Sequence, residues 1–321
     1  MDNLRRFFRF QYSLRVRLTV PFLLITVVVA GLGVYVITRL TSGSVQERLA
    51  NQLVDSAQTA SETIVDYERQ TLATLRLMTN TSGVGEAVRN NDIEALNPLI
   101  QPIAINEELT RVIVFDAAGN NIYQFDATPT TTTINVAFLD VVAQVVSEVQ
   151  DEQGDKFAAI VTHPEAPNTP YLYISAPILT PELVGGIMIG VPMPQYVQLV
   201  SSRAIVQVMY YDLRGNLLGT TFPGGEGLLL SEGETSALIA EAASTAPISQ
   251  VTLDDNQYNV LYAPLQVRGT VVGLAIYGLR SDFIVDLVNN NRNTLTLVFT
   301  FLFLAVLAVG YLTSQSVLRP L

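Results

Sequence analysis

The sequence predicts an α+β protein in which a long N-terminal helix leads into two tandem units built on antiparallel sheets, flanked by two transmembrane helices. Three observations carry this expectation. Two uncharged apolar runs lie near the ends of the 321-residue chain, a helical periodicity follows the first run, and a set of strand and turn motifs recurs between the runs.

The runs come first because they set the solvent. Leu18 to Thr38 reads LTVPFLLITVVVAGLGVYVIT and Thr294 to Leu312 reads TLTLVFTFLFLAVLAVGYL, both without a charge. As helices rising about 1.5 Å per residue, both approach the thickness of a hydrocarbon core of about 30 Å. The first is longer than the apolar region of a signal peptide, and Arg39-Leu40 stands where small cleavage-site residues would be. Arg5, Arg6, Arg9, Arg15 and Arg17 crowd residues 1–17 against one acid, Asp2, which makes that tail cytoplasmic. The expected arrangement is a two-pass protein of the cell (inner) membrane, both termini inside and residues 41–293 extracytoplasmic. The lipid bilayer is then its first partner.

Residues 41–293 hold 28 of the 29 acidic side chains but 11 of the 18 basic ones. Such a domain has no basic patch for nucleic acid or for an anionic membrane surface. The chain has no cysteine, which excludes disulfides and thiolate chemistry.

A long helix is expected over residues 41–82. After a possible break at Thr41-Ser42-Gly43-Ser44, Ser44 and Glu47 have the spacing of a capping box. Leu49, Leu53, Ala57, Ala60, Ile64, Tyr67, Thr71, Leu75 and Met78 then fall on one helical face. That face packs along a domain or against a second copy of itself.

The repeat follows. Val112-Ile-Val-Phe-Asp116-Ala-Ala-Gly119-Asn120 returns 96 residues later as Val208-Met-Tyr-Tyr-Asp212-Leu-Arg-Gly215-Asn216. Asp accepts local backbone bonds and Gly takes positive φ, so Asp116, Gly119, Asp212 and Gly215 mark two structural turns. Tyr171 to Ile178 returns as Tyr258 to Leu265, and Val184 to Gly190 as Val272 to Gly278. Each unit reads as a hairpin, a helix, then three strands. The helices are expected near Ile134–Val149 and near Glu232–Ser244, the second opened by Ser231 and Glu234 at capping-box spacing. Strands are expected at Ile248–Leu253, Asn256–Pro264 and Thr270–Leu279.

A long helix from a membrane span into two units, each with an Asp-x-x-Gly hairpin, an Ala-Pro strand and a closing Gly-x-x-x-x-Gly strand, resembles the double Cache sensor domain of bacterial transmembrane receptors. The resemblance covers residues 41–293. It implies a membrane-distal PAS-like unit at 83–200, a membrane-proximal one at 201–280 and a connecting helix at 281–293. The final Gln315 to Leu321 resembles the opening of a HAMP linker, placing a HAMP-like start at 313–321 and an output kinase or cyclase module beyond the chain.

The residues for catalysis are scarce. His163 is the one histidine, which excludes a paired-histidine zinc site, and no Gly-Lys-Ser/Thr run forms a phosphate loop. With Pro164, Pro167 and Pro170 around it, His163 is expected in a solvated loop. No enzyme site and no cofactor are expected.

PAS-like units hold small molecules against one sheet face. Alternation puts Tyr171, Tyr173 and Ser175 on one face, with Tyr123 on the hairpin strand and Arg111 at the start of the first strand. The planar fork of Arg111 suits a carboxylate. The alternative for each is an ordinary half-buried sheet residue or a solvated arginine. Amino-acid-sensing members of the family carry a tyrosine–arginine–tryptophan signature, whereas this chain has no tryptophan and reads Ile-Leu-Thr-Pro-Glu182 after Ala176-Pro177. The expected function is a receptor sensor: a small extracytoplasmic ligand, or a periplasmic binding protein carrying one, docks to the distal unit and a helix displacement crosses the membrane in a homodimer. The rival expectation is a membrane-anchored interaction or mechanosensing module without a small ligand.

Overall fold

The computed structural model describes residues 14–128, 134–163, 169–245, 247–281, 297–306 and 308, with only part of the side chains between 14 and 46. The chain divides into two compact units, Met1–Ala50 with Ser281–Leu321, and Asn51–Arg280.

Helix α1 spans Leu14–Thr79. It runs on through residues 41–44, the place the sequence offers for a break, because none of those residues forbids a helix and no proline interrupts them. In its second half Leu49, Leu53, Ala57, Ala60, Ile64, Thr71, Leu75 and Met78 are buried, the face that the periodicity picks out. Two short helices follow, α2 (Val84–Arg89) and α3 (Ile93–Asn106). The Asp92 carboxylate starts α3 by accepting from Ala95 N at 3.0 Å.

The first repeat is a five-stranded antiparallel sheet of order β2-β1-β5-β4-β3, from β1 (Arg111–Asp116), β2 (Asn121–Asp126), β3 (Phe157–Thr162), β4 (Pro170–Thr180) and β5 (Glu182–Pro192). Its helix α4 (Asp140–Val146) is shorter than the expected 134–149. Ile134, Val136 and Leu139 are buried all the same, but from the irregular stretch before the helix rather than from within it. Helix α5 (Met193–Ala204) leads to the second repeat.

The second sheet repeats the order as β7-β6-β10-β9-β8, with β6 (Gln207–Asp212), β7 (Leu217–Thr220), β8 (Ile248–Leu253), β9 (Asn256–Val267) and β10 (Thr270–Arg280). Helix α6 (Glu232–Thr245) covers it. Ser231 and Glu234 close the expected capping box, with Ser231 N to Glu234 Oε2 at 2.8 Å and Glu234 N to Ser231 Oγ at 3.3 Å. Both hairpin turns are built alike: Asp116 Oδ1 accepts from Asn120 N and Asp212 Oδ1 from Asn216 N, each at 2.8 Å, while Gly119 and Gly215 take φ of 83° and 85°.

Each sheet buries both faces. One face of the first packs Val112, Val114, Ile174, Ile187 and Ile189 on α1, α2 and α3. The other turns Ile113, Phe115, Tyr173 and Met188 toward α4. In the second sheet Val208, Tyr210 and Tyr277 meet α1 and α5, whereas Met209, Tyr211, Phe222 and Tyr258 face α6. Each such aliphatic or aromatic side chain contributes about 1.5–3 kcal/mol on burial.

In the other unit, residues 297–306 are helical. Leu24, Ile25, Val29, Leu297, Phe301 and Leu304 lie 56% exposed or more, and the Phe299 ring packs on Gly33. Among the described residues no helix is long and apolar enough to cross a membrane. Many side chains of the 18–38 run, and residues 294–296, 307 and 309–312 of the second run, lie outside them. Residues 1–13 of the expected tail at 1–17, the connecting helix beyond Ser281 and the HAMP-like stretch at 313–321 also fall outside the described residues.

Candidate ligand site in the first repeat

Arg111 opens β1 and lies directly opposite Asp126, the last residue of β2. Residues paired across an antiparallel ladder project to the same face. Arg111, Ile113 and Phe115 therefore share the α4 side with Gln124 and Asp126. On its other flank Arg111 pairs with Gly190 of β5, and Tyr173 of β4 pairs with Gly190 from the far side. A Cβ on Gly190 would stand 2.3 Å from Cε1 of Tyr173, so the absent side chain is the seat of that ring.

Into this seat the chain packs a polar cluster. Arg111 Nε donates to Asp126 Oδ1 at 2.5 Å, and Arg111 Nη1 donates to the Tyr173 hydroxyl at 3.3 Å. The guanidinium carbon lies 4.4 Å from the centre of the Tyr171 ring, and Tyr171 stacks on Tyr173 at 5.7 Å. His163 Nε2 is 2.7 Å from the Tyr173 hydroxyl, with the imidazole edge-on to both tyrosines and to Phe138. Arg111 is 5% exposed and both His163 and Tyr173 are fully buried. The expectation of a solvated loop histidine is overturned: the prolines that follow do not keep it in water, because its ring has an aromatic slot and a phenol to meet.

Burial alone lowers the Arg111 pKa, but its bonds to Tyr173 and Asp126 outweigh this and hold it above its ordinary value. Burial pushes Tyr173 up to about 12, with Arg111 opposing. The phenol keeps its proton at neutral pH and, while accepting from Arg111, can give that proton to His163 Nε2. A chain of contacts thus runs Asp126–Arg111–Tyr173–His163. Its guanidinium is an anion-binding fork already engaged by a carboxylate of the same chain.

The other two expected ligand residues sit differently. Ser175 shares the face with Tyr171 and Tyr173, but its hydroxyl is directed to the carbonyls of Val141 and Phe157 at 3.2 and 3.3 Å, tying α4 to β3 and β4. Tyr123 pairs with Val114 and lies on the opposite face, its hydroxyl donating to Asn97 Oδ1 of α3 at 3.1 Å. Asp126 and His163 are the members that the sequence reading missed. Pairing outward from the turn would put Phe125 opposite Arg111; the register shift between Val114 and Phe115 brings Asp126 there instead, so the sequence carries no signal for it. Among the described residues no three His, Asp or Glu side chains gather as metal ligands.

The sheet order, the repeated hairpins and this face coincide with a match over residues 46–284 to dCache_3, the double sensory domain of two-component sensor kinase. The chain belongs to this double Cache family. Solved structures agree on the fold. The ligand-binding domain of the Campylobacter jejuni chemoreceptor Tlp3, in complex with L-norvaline, superposes with a TM-score of 0.53 at 12% identity, covering 74% of this chain and 93% of that one. The extracellular domain of a protein assigned as a histidine kinase gives 0.57 at 13% identity, over 79% and 99%. A domain from Vibrio parahaemolyticus, of a protein assigned to the sensory box/GGDEF family, gives 0.55 at 13%, over 74% and 98%. No curated protein matches the chain. As a double Cache protein the chain carries a sensory rather than a catalytic domain, and its two sheets are the tandem Cache modules.

Proposed function

We propose that this chain is the sensor portion of a bacterial transmembrane receptor that binds a small ligand in the first Cache module. The observation that carries the reading is the buried Arg111 fork, stacked on Tyr171 and bonded to Tyr173. A buried arginine costs several kcal/mol in lost hydration, so a face used only for packing gains nothing by keeping one. Asp126 occupies the fork in this structure, and a ligand carboxylate would compete for the same donors. Tlp3, a fold neighbour, has been solved with L-norvaline, isoleucine and L-valine. Those ligands each bear a carboxylate, which supports the same ligand chemistry here.

Residues 41–293 then lie outside the membrane between spans at 18–38 and 294–312, consistent with the exposed apolar side chains there. The receptor works as a homodimer, and a displacement of the second span relative to the first reaches a HAMP-like linker and an output module. Ligand energy moves that equilibrium only by its differential affinity for the two states.

A second reading, an interaction or mechanosensing module without a small ligand, draws on the closure of the cluster over its own side chains. A thermal-shift screen of small carboxylates on the full chain separates the two. Hits are expected, and Arg111→Ala should abolish their stabilisation. Hits that stabilise Arg111→Ala as well as the wild type contradict the carboxylate fork, and a screen without hits favours the second reading.

A further inference from the structure

The β9–β10 turn touches two other parts of the 51–280 unit at once. Val267 pairs with Thr270, so Arg268 and Gly269 alone make the turn, with φ of 49° and 72°. Positive φ at both central residues is the type I′ geometry, which favours Asn-Gly. An arginine at the first position is uncommon, and its contacts give the reason. Its backbone N–H donates to the Glu68 carboxylate of α1 at 3.1 Å. Its Nη2 donates to the Gln153 carbonyl at 3.2 Å and lies 3.7 Å from Asp151 Oδ1. The side chain is only 8% exposed. Gly269 lies against the same loop, since a Cβ there would meet Gln153 Nε2 at 2.7 Å.

The loop gripped by Arg268 is the connection from α4 to β3. Both elements line the candidate site: Val141, Val142 and Val145 of α4 and Phe157 of β3 share one buried cluster with Tyr173, and His163 follows β3. One turn of the second module therefore holds the back of the first module's site and the long helix α1 together. The Tyr67–Tyr196 edge contact at 5.1 Å lies beside Glu68, so the polar grip adjoins the apolar joint between α1 and α5.

We propose that Arg268 is a coupling residue, which passes a displacement of the α4–β3 connection to α1. This rests on the first module's site being the ligand site. Bonds to a buried charge are stronger than neutral ones, and their partners move with it or lose them. Coupling claims need a measured interaction between two sites rather than adjacency.

Hydrogen exchange of the full chain in detergent micelles supplies that measurement without a ligand. Tyr173→Phe removes the hydroxyl between Arg111 and His163 and serves as the disturbance. It should speed exchange of the α1 amides around Glu68 by about tenfold, in the range of local opening. In an Arg268→Asn background, where Asn still suits positive φ, the same disturbance should leave those amides unchanged. An equal change in both backgrounds overturns the coupling role, and so does no change in either. The screen fails separately: the absence of hits counts against the ligand site, whereas hits combined with background-independent exchange count against Arg268 alone.

Discussion

The two modules share one strand order and one hairpin, yet the sheet faces that turn toward α4 and α6 have opposite chemistry. Where the first module has Arg111, Asp126, Tyr171 and Tyr173, the second has Gln207, Phe222, Tyr258 and Val260 at the repeat positions. Gly190 seats the Tyr173 ring and Gly278 seats Phe222, whose ring packs edge-on to Tyr258 at 5.1 Å. Duplication kept the seat and changed the occupant. The first module spends burial on a charge, and the second fills the same place with a phenyl ring. A polar face is costly to hold and open to exchange with a ligand; an apolar one is a packing element.

The largest effect expected from this difference concerns the ion pair. Asp126→Leu leaves the buried Arg111 without its carboxylate and should cost about 3–5 kcal/mol in denaturant unfolding. At the repeat position of Arg111 in the second module, Gln207→Leu removes a buried Oε1 that has no hydrogen-bond partner among the described residues. It should be neutral or stabilising by up to about 1 kcal/mol. Equal costs for the two would erase the contrast.

A smaller effect follows from the glycine seats. Gly190→Ala and Gly278→Ala each force an aromatic ring aside and should cost about 1–3 kcal/mol by overpacking. Only Gly190→Ala should also weaken the binding of a carboxylate hit, read by titration calorimetry. Loss of binding from both would place the ligand elsewhere.

The smallest effect is alkaline. The Tyr173 pKa rises from 10.0 in the unfolded chain to about 12 in the fold, so the folded state holds its proton more tightly. That contribution is fully present below pH 10 and is lost as pH rises through about 12. Val260 stands at the repeat position and does not titrate. Tyr173→Phe should therefore make the fall of the urea midpoint with rising pH shallower, while Val260→Ile leaves its slope unchanged.

Much of the fold is legible in the sequence because it is local and repeated. The Asp-x-x-Gly-Asn turns need only five residues, and α1 shows its buried face through apolar spacing alone. Helices α2, α3 and α5 were not legible. Pro98 and Pro102 lie inside α3, where each removes a backbone donor and reads as a stop. Burial of Leu96, Ile100 and Ala104 holds the helix regardless. Pro194 at the start of α5 follows the apolar strand without a break in hydropathy. In the site, Tyr171 and Tyr173 were readable from strand alternation and Arg111 from its place at the start of the first strand. Asp126 and His163 were not, because a cross-strand partner and a loop residue folded back on the sheet are set by register and packing. Tyr123 falls on the opposite face for the same reason.

The central claim is that the first module's face binds the ligand and the second's does not. Thermal shift of one carboxylate hit against wild type, Arg111→Ala and Gln207→Ala tests it most directly. Stabilisation that vanishes in Arg111→Ala and persists in Gln207→Ala is the predicted result. Stabilisation that persists in Arg111→Ala and vanishes in Gln207→Ala would contradict it.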